Sequence, residues 1–330
     1  MNKINKVLLL IIFLVFLTCI ISSCSSKKED MKYEDFAISS ANSNLGNTSI
    51  PNNQSSTNIS KIINSQDIDG SKKSAIVSSK NNVDSTISSQ SSTSSSIAVA
   101  KLLFEDNFNG TSLDTTKWEY CPEWQRQGGG TWKNSMTSLD GKGNLVLKVQ
   151  QDPNDNSKTI SGAIRTFEKY YNSFGYYESS IKFPVVKGSW GAFWIMAGNV
   201  HNVDGSGKDG SEIDIMETID SLKKYVNQNV GWDGYAEYSK SVHNSFNADI
   251  FDDKFHTFGL LWTFDEYVFF VDNKITWRTS ANGNVCQEKG YMKLTIESAP
   301  WAGSTALDAM ASLPKEMVVD YVRVYDKYPY

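Results

Sequence analysis

Three carboxylates fall within six residues in the run G-S-E-I-D-I-M-E-T-I-D, which spans Gly210 to Asp220. They are Glu212, Asp214 and Glu217, separated only by Ile213, Ile215 and Met216. Paired acids can divide labour: an ionised one attacks carbon while a protonated one donates to a leaving oxygen. Cleavage of a glycosidic bond with retention needs that division, with the two carboxyl groups about 5–5.5 Å apart. Strand alternation puts Glu212 and Asp214 on one face and Ile213 and Ile215 on the other. Strict alternation would then turn Glu217 to the apolar face. One extra residue at Ile215–Met216, a β-bulge, returns Glu217 to the acidic side. Asp214 would keep negative charge nearby and raise the pKa of one Glu, so that it holds its proton. The competing reading is an ordinary solvated strand face. Adjacent like charges on one strand face repel, which tilts the balance towards chemistry.

Such a site needs a rigid frame, and the composition supplies one. Aromatics make up 12% of the 330 residues, enough for a core with rings left over for a cleft. The formal charge of −5 argues against nucleic acid or an anionic membrane as partner. With 3 His and 4 Cys, none paired at metal-ligand spacing, the sequence argues against a zinc or iron site, and catalysis should need no cofactor.

Two lysines precede an apolar run from Val7 to Ile21, a length and shape that fit an export signal rather than a membrane span. It ends in Ile21-Ser22-Ser23-Cys24, similar to the bacterial lipobox in which the cysteine is acylated. Residues 1–23 are thus expected to be a lipoprotein signal peptide, with Cys24 as the lipid anchor in the membrane and the remainder outside the cytoplasm. Residues 24–100 are rich in Ser and Asn, with too few apolar residues to bury a core, and read as a flexible tether. A folded domain should occupy 101–330.

Within it, short β-branched and aromatic runs recur at Leu145–Val149, Tyr176–Phe183, Phe193–Met196, Phe255–Thr263, Tyr267–Val271 and Met317–Tyr325. Turn residues separate them, and Asp272-Asn273 joins E-Y-V-F-F-V to K-I-T-W-R as a hairpin. The expected fold is an all-β antiparallel β-sandwich. His256 is assigned to a core hydrogen-bond network. Cys121 and Cys286 could pair or stay as two buried thiols.

The order of these segments resembles glycoside hydrolase family 16, the jelly-roll, concanavalin A-like endoglycanases with a concave substrate cleft. E-I-D-I-M-E (212–217) is similar to the family's E-x-D-x-x-E signature in bulged form. S-G-A-I-R-T (161–166), Y-Y-E-S-S-I-K-F-P (176–184), G-S-W-G-A-F-W-I-M (188–196), D-K-F-H-T-F-G-L-L-W (253–262) and M-V-V-D-Y-V-R-V-Y (317–325) follow in family order. The resemblance implies Glu212 as nucleophile, Asp214 as assisting acid and Glu217 as acid/base. It implies Trp190 and Trp194 in the cleft, with Arg165, Asn134 and His243 as sugar contacts. Trp190 and Trp194 share a strand face that could equally be core. Arg165 could be a rim charge, and His243 a satisfied core residue. A structural calcium, carried over by position, would fall near Asn107, Gly141 and Asp320. Ser211 before Glu212 and an insertion at Asn199–Gly210 depart from the common pattern.

The function these features imply is that of an endo-acting retaining hydrolase of a β-linked polysaccharide, working as a monomer. Acids dominate the signature's surroundings (Asp204, Asp209, Asp220, Asp233) against Lys208, Lys223 and Lys224. That balance favours a neutral β-1,3- or mixed β-1,3-1,4-glucan over a sulfated galactan, unless Arg and Lys line the cleft. An endo-β-galactanase or transglycosylase of the same family, or a non-catalytic carbohydrate-binding sandwich, are the alternatives.

Overall fold

A computed structural model of the chain describes residues 99–126, 130–186, 188–220, 224–298 and 313–330. The signal peptide, Cys24, the tether up to residue 98 and Lys223 lie outside the described residues. Within them the first strands are β1 (Leu102–Asp106), β2 (Glu119–Tyr120), β3 (Thr131–Trp132), β4 (Thr137–Leu139), β5 (Leu145–Asp152) and β6 (Asp155–Ser161). Then come β7 (Ala163–Arg165), β8 (Gly175–Lys182), β9 (Ser189–Gly198), β10 (Gly210–Asp220), β11 (Tyr225–Trp232) and β12 (Lys240–Asn247). The chain closes with β13 (His256–Trp262), β14 (Tyr267–Val271), β15 (Lys274–Thr279), β16 (Gly290–Ser298) and β17 (Lys315–Tyr325).

These strands form two sheets face to face. The first runs β15-β14-β13-β8-β17-β5-β6-β3, with β1 on β17 and β4 on β5; the second runs β12-β11-β10-β9-β16-β7-β2. Every pairing is antiparallel except β3 with β6. The expected sandwich is thus the one observed. The hairpin is as expected too: Asp272 and Asn273 take φ of 48° and 60°, the left-handed pair that a two-residue turn between twisted strands requires.

Alternation builds the core. Leu145, Leu147 and Val149 on β5 and Val226, Val230 and Trp232 on β11 point between the sheets. Each such side chain removed from water contributes about 1.5–3 kcal/mol. Two strands of the second sheet, β9 and β16, bury both faces almost throughout. On β16, Met292, Leu294 and Ile296 enter the core, while Tyr291, Lys293, Thr295 and Glu297 alternate onto the outward face and are also buried. Polar groups buried on an outward face are the first structural sign of a site there.

The first sheet also carries a buried outward patch. Glu178 on β8 is fully buried and accepts hydroxyls from Tyr176 at 3.0 Å, Tyr321 at 2.8 Å and Tyr330 at 2.9 Å. Tyr328 stacks on Phe270 and meets Tyr176 edge-on, so the C-terminal residues pack down over this patch. Burial, and then the Glu178 charge, hold the Tyr176 phenol well above its ordinary pKa.

His256 is not in the core. It begins β13 at the domain edge, with Nδ1 2.8 Å from Asp272 and Nε2 3.0 Å from Asp252. Partial burial opposes its charge, but the two carboxylates outweigh that and raise its pKa. A raised folded-state pKa stabilises the fold fully below the ordinary imidazole value of about 6.5 and loses that contribution as pH rises through the folded value. The melting temperature of the native domain should therefore exceed that of His256→Gln most at about pH 5.5, below that ordinary value. The gap should narrow as pH rises. A pH-independent gap in calorimetry would contradict the charge-based account.

Candidate active site

The bulge is where the sequence requires it. In the β10–β9 ladder Glu212 faces Met196 and Asp214 faces Trp194, but the next pair is Met216 with Phe193, so Ile215 is the extra residue. Glu217 then faces Ala192. Ala192, Trp194 and Met196 share the outward face, and Glu212, Asp214 and Glu217 join them there, while Ile213, Ile215 and Met216 fill the core. One bulge thereby keeps three acids on one side over six residues.

Each acid has its own donor. Tyr235 Oη donates to Glu212 Oε2 at 2.8 Å, and Asn229 Nδ2 to Asp214 Oδ2 at 2.9 Å. Glu217 accepts from Trp190 Nε1 and Asn227 Nδ2, both at 3.0 Å. Ser245 donates to Asn227 Oδ1 at 2.8 Å, which orients the amide so that its NH₂ meets Glu217. Burial raises the Glu217 pKa and the negative charge of Glu297 adds to it, against the two donors. Asp214 is pushed well above the usual carboxylate range by burial and then by the charges of Glu217 and Glu212. Its surroundings therefore disfavour the negative charge that the sequence reading placed on it.

Arg126, Trp190, Ala192, Trp194, Thr295 and Glu297 line the cleft together with the three acids. Trp190 and Trp194 belong to the cleft, but both are nearly buried: Trp190 is engaged by Glu217, and Trp194 donates to Thr295 at 3.2 Å. Arg126 pairs with Glu297 at 3.1 Å and lies 4.0 Å over the Trp132 ring. Lys293 Nζ is 5.0 Å from the Trp132 ring and 4.0 Å from that of Trp194. Desolvated contacts of this kind contribute about 2 kcal/mol each. The expected scarcity of bases at the site does not hold, since Arg126 and Lys293 sit with the carboxylates. Lys224 instead pairs with Asp249, and Asp233 with Lys240 at 2.8 Å.

Arg165, on β7, faces Lys293 across the ladder. It is buried, donates to Glu119 at 2.7 Å and covers the Phe167 ring at 4.4 Å, so it is no loose rim charge. His243 is exposed on the edge strand β12, opposite Asn229, and is not a core residue. Asn134 is exposed in a 3-10 turn between β3 and β4 and does not line the cleft around the acids. Cys121 and Cys286 form no disulfide and lie in separate clusters. For calcium the fit is poor. Asn107 Oδ1 already accepts from the Arg323 guanidinium at 3.1 Å, and Asp320 receives the Ser180 hydroxyl at 3.4 Å. Among the described residues no group of three or more His, Cys, Asp or Glu could hold a metal.

The insertion is built into the fold. Gly198 and Gly210 are ladder partners at its neck, and a Cβ on Gly210 would run into the Asn199 carbonyl while one on Gly198 would strike the Asp209 carbonyl. Gly198 also has a φ of 57°, which other residues adopt at a cost. Ser211 Oγ donates to the Gly207 carbonyl at 2.9 Å, which explains the departure from glycine at that position. Arg126, Asn227, Asn229, Tyr235, Lys293, Thr295 and Glu297 were not singled out from the sequence. A signal for five of them existed: the alternating V-N-Q-N-V and M-K-L-T-I-E segments each mark a strand with one apolar and one polar face. Arg126 and Tyr235 sit outside strands and carry no such pattern.

A sequence model of the glycoside hydrolase family 16 domain of β-porphyranases A–D matches residues 101–327. The chain is 27% identical over 266 residues to glucan endo-1,3-β-glucosidase A1 of Niallia circulans, covering 71% of this chain and 39% of that protein. It is 36% identical over 130 residues to β-porphyranase D of Zobellia galactanivorans, covering 35% of this chain and 29% of that one. The endo-β-1,3-glucanase structure from Pyrococcus furiosus superimposes with a TM-score of 0.57 at 27% identity, covering 68% of this chain and 94% of that one.

Proposed function

The chain belongs to glycoside hydrolase family 16, and on that footing we propose that it is an endo-acting, retaining β-glucanase in which Glu212 attacks and Glu217 is the acid/base. The observation that carries the proposal is the Ile215 bulge, which sets both glutamates and Asp214 on one buried face. Glu212 attacks C1 as the leaving oxygen takes the Glu217 proton, giving a covalent glycosyl-enzyme. Water then attacks C1 with its proton passing to Glu217, and the C1–O bond electrons return to Glu212. The raised Glu217 pKa supports the proton-holding role, and the donor on Glu212 supports the ionised one. Endo action is supported by the place of β10, third from one edge of a seven-stranded sheet. At about 4.8 Å per strand the sheet spans roughly 29 Å, so a polymer can pass the acids on both sides.

We take the substrate to be β-1,3- or mixed β-1,3-1,4-glucan. A second reading, a β-galactan that carries anionic groups, is favoured by Arg126 and Lys293 at the cleft and by the family model matched. Initial rates on laminarin, lichenan, agarose, porphyran and κ-carrageenan decide between them: fastest turnover of laminarin or lichenan is expected, and fastest turnover of a sulfated polymer would overturn the glucan assignment. Early-time proton NMR should show product with the anomeric configuration of the substrate; the inverted anomer would remove Glu212 as nucleophile. We also place the enzyme outside the cytoplasm as a monomer, lipidated at Cys24 and held on the 24–100 tether. Cys24→Ala should then release it from the membrane fraction.

A further inference from the structure

Tyr235 lies in the turn between β11 and β12, beyond any strand, yet its hydroxyl reaches Glu212 Oε2 at 2.8 Å. The ring packs against the outward cluster that includes Met196 and Val200, its hydroxyl is 3.7 Å from Met196 Sδ, and His201 meets it edge-on at 5.3 Å. Two of those neighbours, Val200 and His201, belong to the insertion that follows β9. The turn and the insertion are tied together one residue pair away. Gly234 N donates to the Val200 carbonyl at 2.6 Å. Asp233, whose side chain is fully buried and whose φ is 59°, accepts from Asp204 N at 3.3 Å and Gly205 N at 3.1 Å and pairs with Lys240. A left-handed aspartate persists only where its surroundings hold it.

We propose that Tyr235 is a positioning residue for the nucleophile, anchored by Asp233 and the Val200–Gly205 part of the insertion, and that it acts chiefly in the second chemical step. The inference rests on Glu212 being the nucleophile. A phenol donor stabilises the ionised carboxylate over its neutral ester. When the glycosyl-enzyme forms, carboxylate charge is consumed, so the donor gains nothing electronically. When water attacks C1, the C1–O bond to Glu212 breaks, its electron pair returns to the carboxylate and the water proton passes to Glu217. The donor then meets a growing negative charge, and its effect is on that step. Through Asp233 the insertion, far from being a passive flap, fixes where that donor stands.

The test uses Tyr235→Phe and Asp233→Asn in the full catalytic chain, assayed on the panel polymer cleaved fastest and on the 2,4-dinitrophenyl β-glycoside of its oligosaccharide. Tyr235→Phe should lower steady-state kcat about tenfold or more, as expected for losing a hydrogen bond to a charged group. It should show a dinitrophenolate burst of about one equivalent per enzyme, because the glycosyl-enzyme accumulates. The acidic limb of kcat/KM should move to higher pH by about one unit, since Glu212 loses the donor that keeps it ionised. Asp233→Asn should shift both readouts in the same direction by less. A residue that only packs would change the melting temperature and leave the burst and the limb unmoved, and that result overturns the proposal. If Asp233→Asn alone is silent, the insertion is not the anchor. Undiminished activity of Glu212→Ala would instead defeat the nucleophile assignment itself, a failure distinguishable from the others.

Discussion

Glu212→Ala and Glu217→Ala should each lower kcat on polymer by at least about three orders of magnitude, or about 4 kcal/mol of transition-state stabilisation, with the fold intact. The two losses differ in kind. Without Glu212 no covalent intermediate forms, so leaving-group activation cannot help. Without Glu217 the leaving oxygen lacks its proton, and a dinitrophenyl glycoside, which leaves unprotonated, should recover much of the first step. Both side chains are nearly buried, on a strand whose core face is Ile213, Ile215 and Met216, and truncation on the outward face leaves that packing untouched. Retention by either variant of more than about a tenth of native turnover, a loss under about 1.4 kcal/mol, would falsify the pairing.

The acids themselves were legible because their spacing conflicts with strand alternation unless one residue bulges, and a bulge beside clustered charge has few uses other than aiming side chains. The sandwich was legible from short alternating runs, and the Asp272-Asn273 turn from its demand for two left-handed residues. What surrounds the acids was less so. Lys293 and Glu297 look like ordinary solvated positions of a two-faced strand; only the packing of Trp132 and Arg126 from distant segments makes that face a buried one. His256 misled because a lone histidine beside apolar residues reads as core, while its two carboxylates come from positions 252 and 272 through a turn and a hairpin. Tyr235 reaches Glu212 only because the insertion and the β11–β12 turn meet, and nothing in the sequence announces that contact.

The largest effect on stability is expected far from the cleft. Glu178→Ala should destabilise the domain by about 3 kcal/mol, which for this size lowers the melting temperature by about 6–12 °C. The substitution leaves the buried Tyr176 hydroxyl without its acceptor and strips the shared partner from Tyr321 and Tyr330. It also leaves a void where the carboxyl was. Glu178→Gln keeps an oxygen in place and should cost less, about 1 kcal/mol. Truncation after Asp326 should reproduce part of the loss, because Tyr328 and Tyr330 are the cover over this patch. Differential scanning calorimetry of the three variants measures this directly, and an unchanged melting temperature in Glu178→Ala would show the phenols rehydrated at no cost.

The glycine-closed neck at Gly198 and Gly210 has a bearing on how such enzymes diversify. Strand pairing between β9 and β10 is already sealed at that point, so the number of residues looped out beyond it imposes nothing on the register that aligns Glu212, Asp214 and Glu217. Lineages can lengthen, shorten or replace the segment as a cassette without reopening the sheet. In this chain, however, the cassette has become wired to the chemistry through Val200, Asp204 and Gly205. Recombination at the neck therefore carries a tuning of the nucleophile along with any new contact to substrate, and a graft intended to change only polymer preference must bring the Asp233–Tyr235 turn with it.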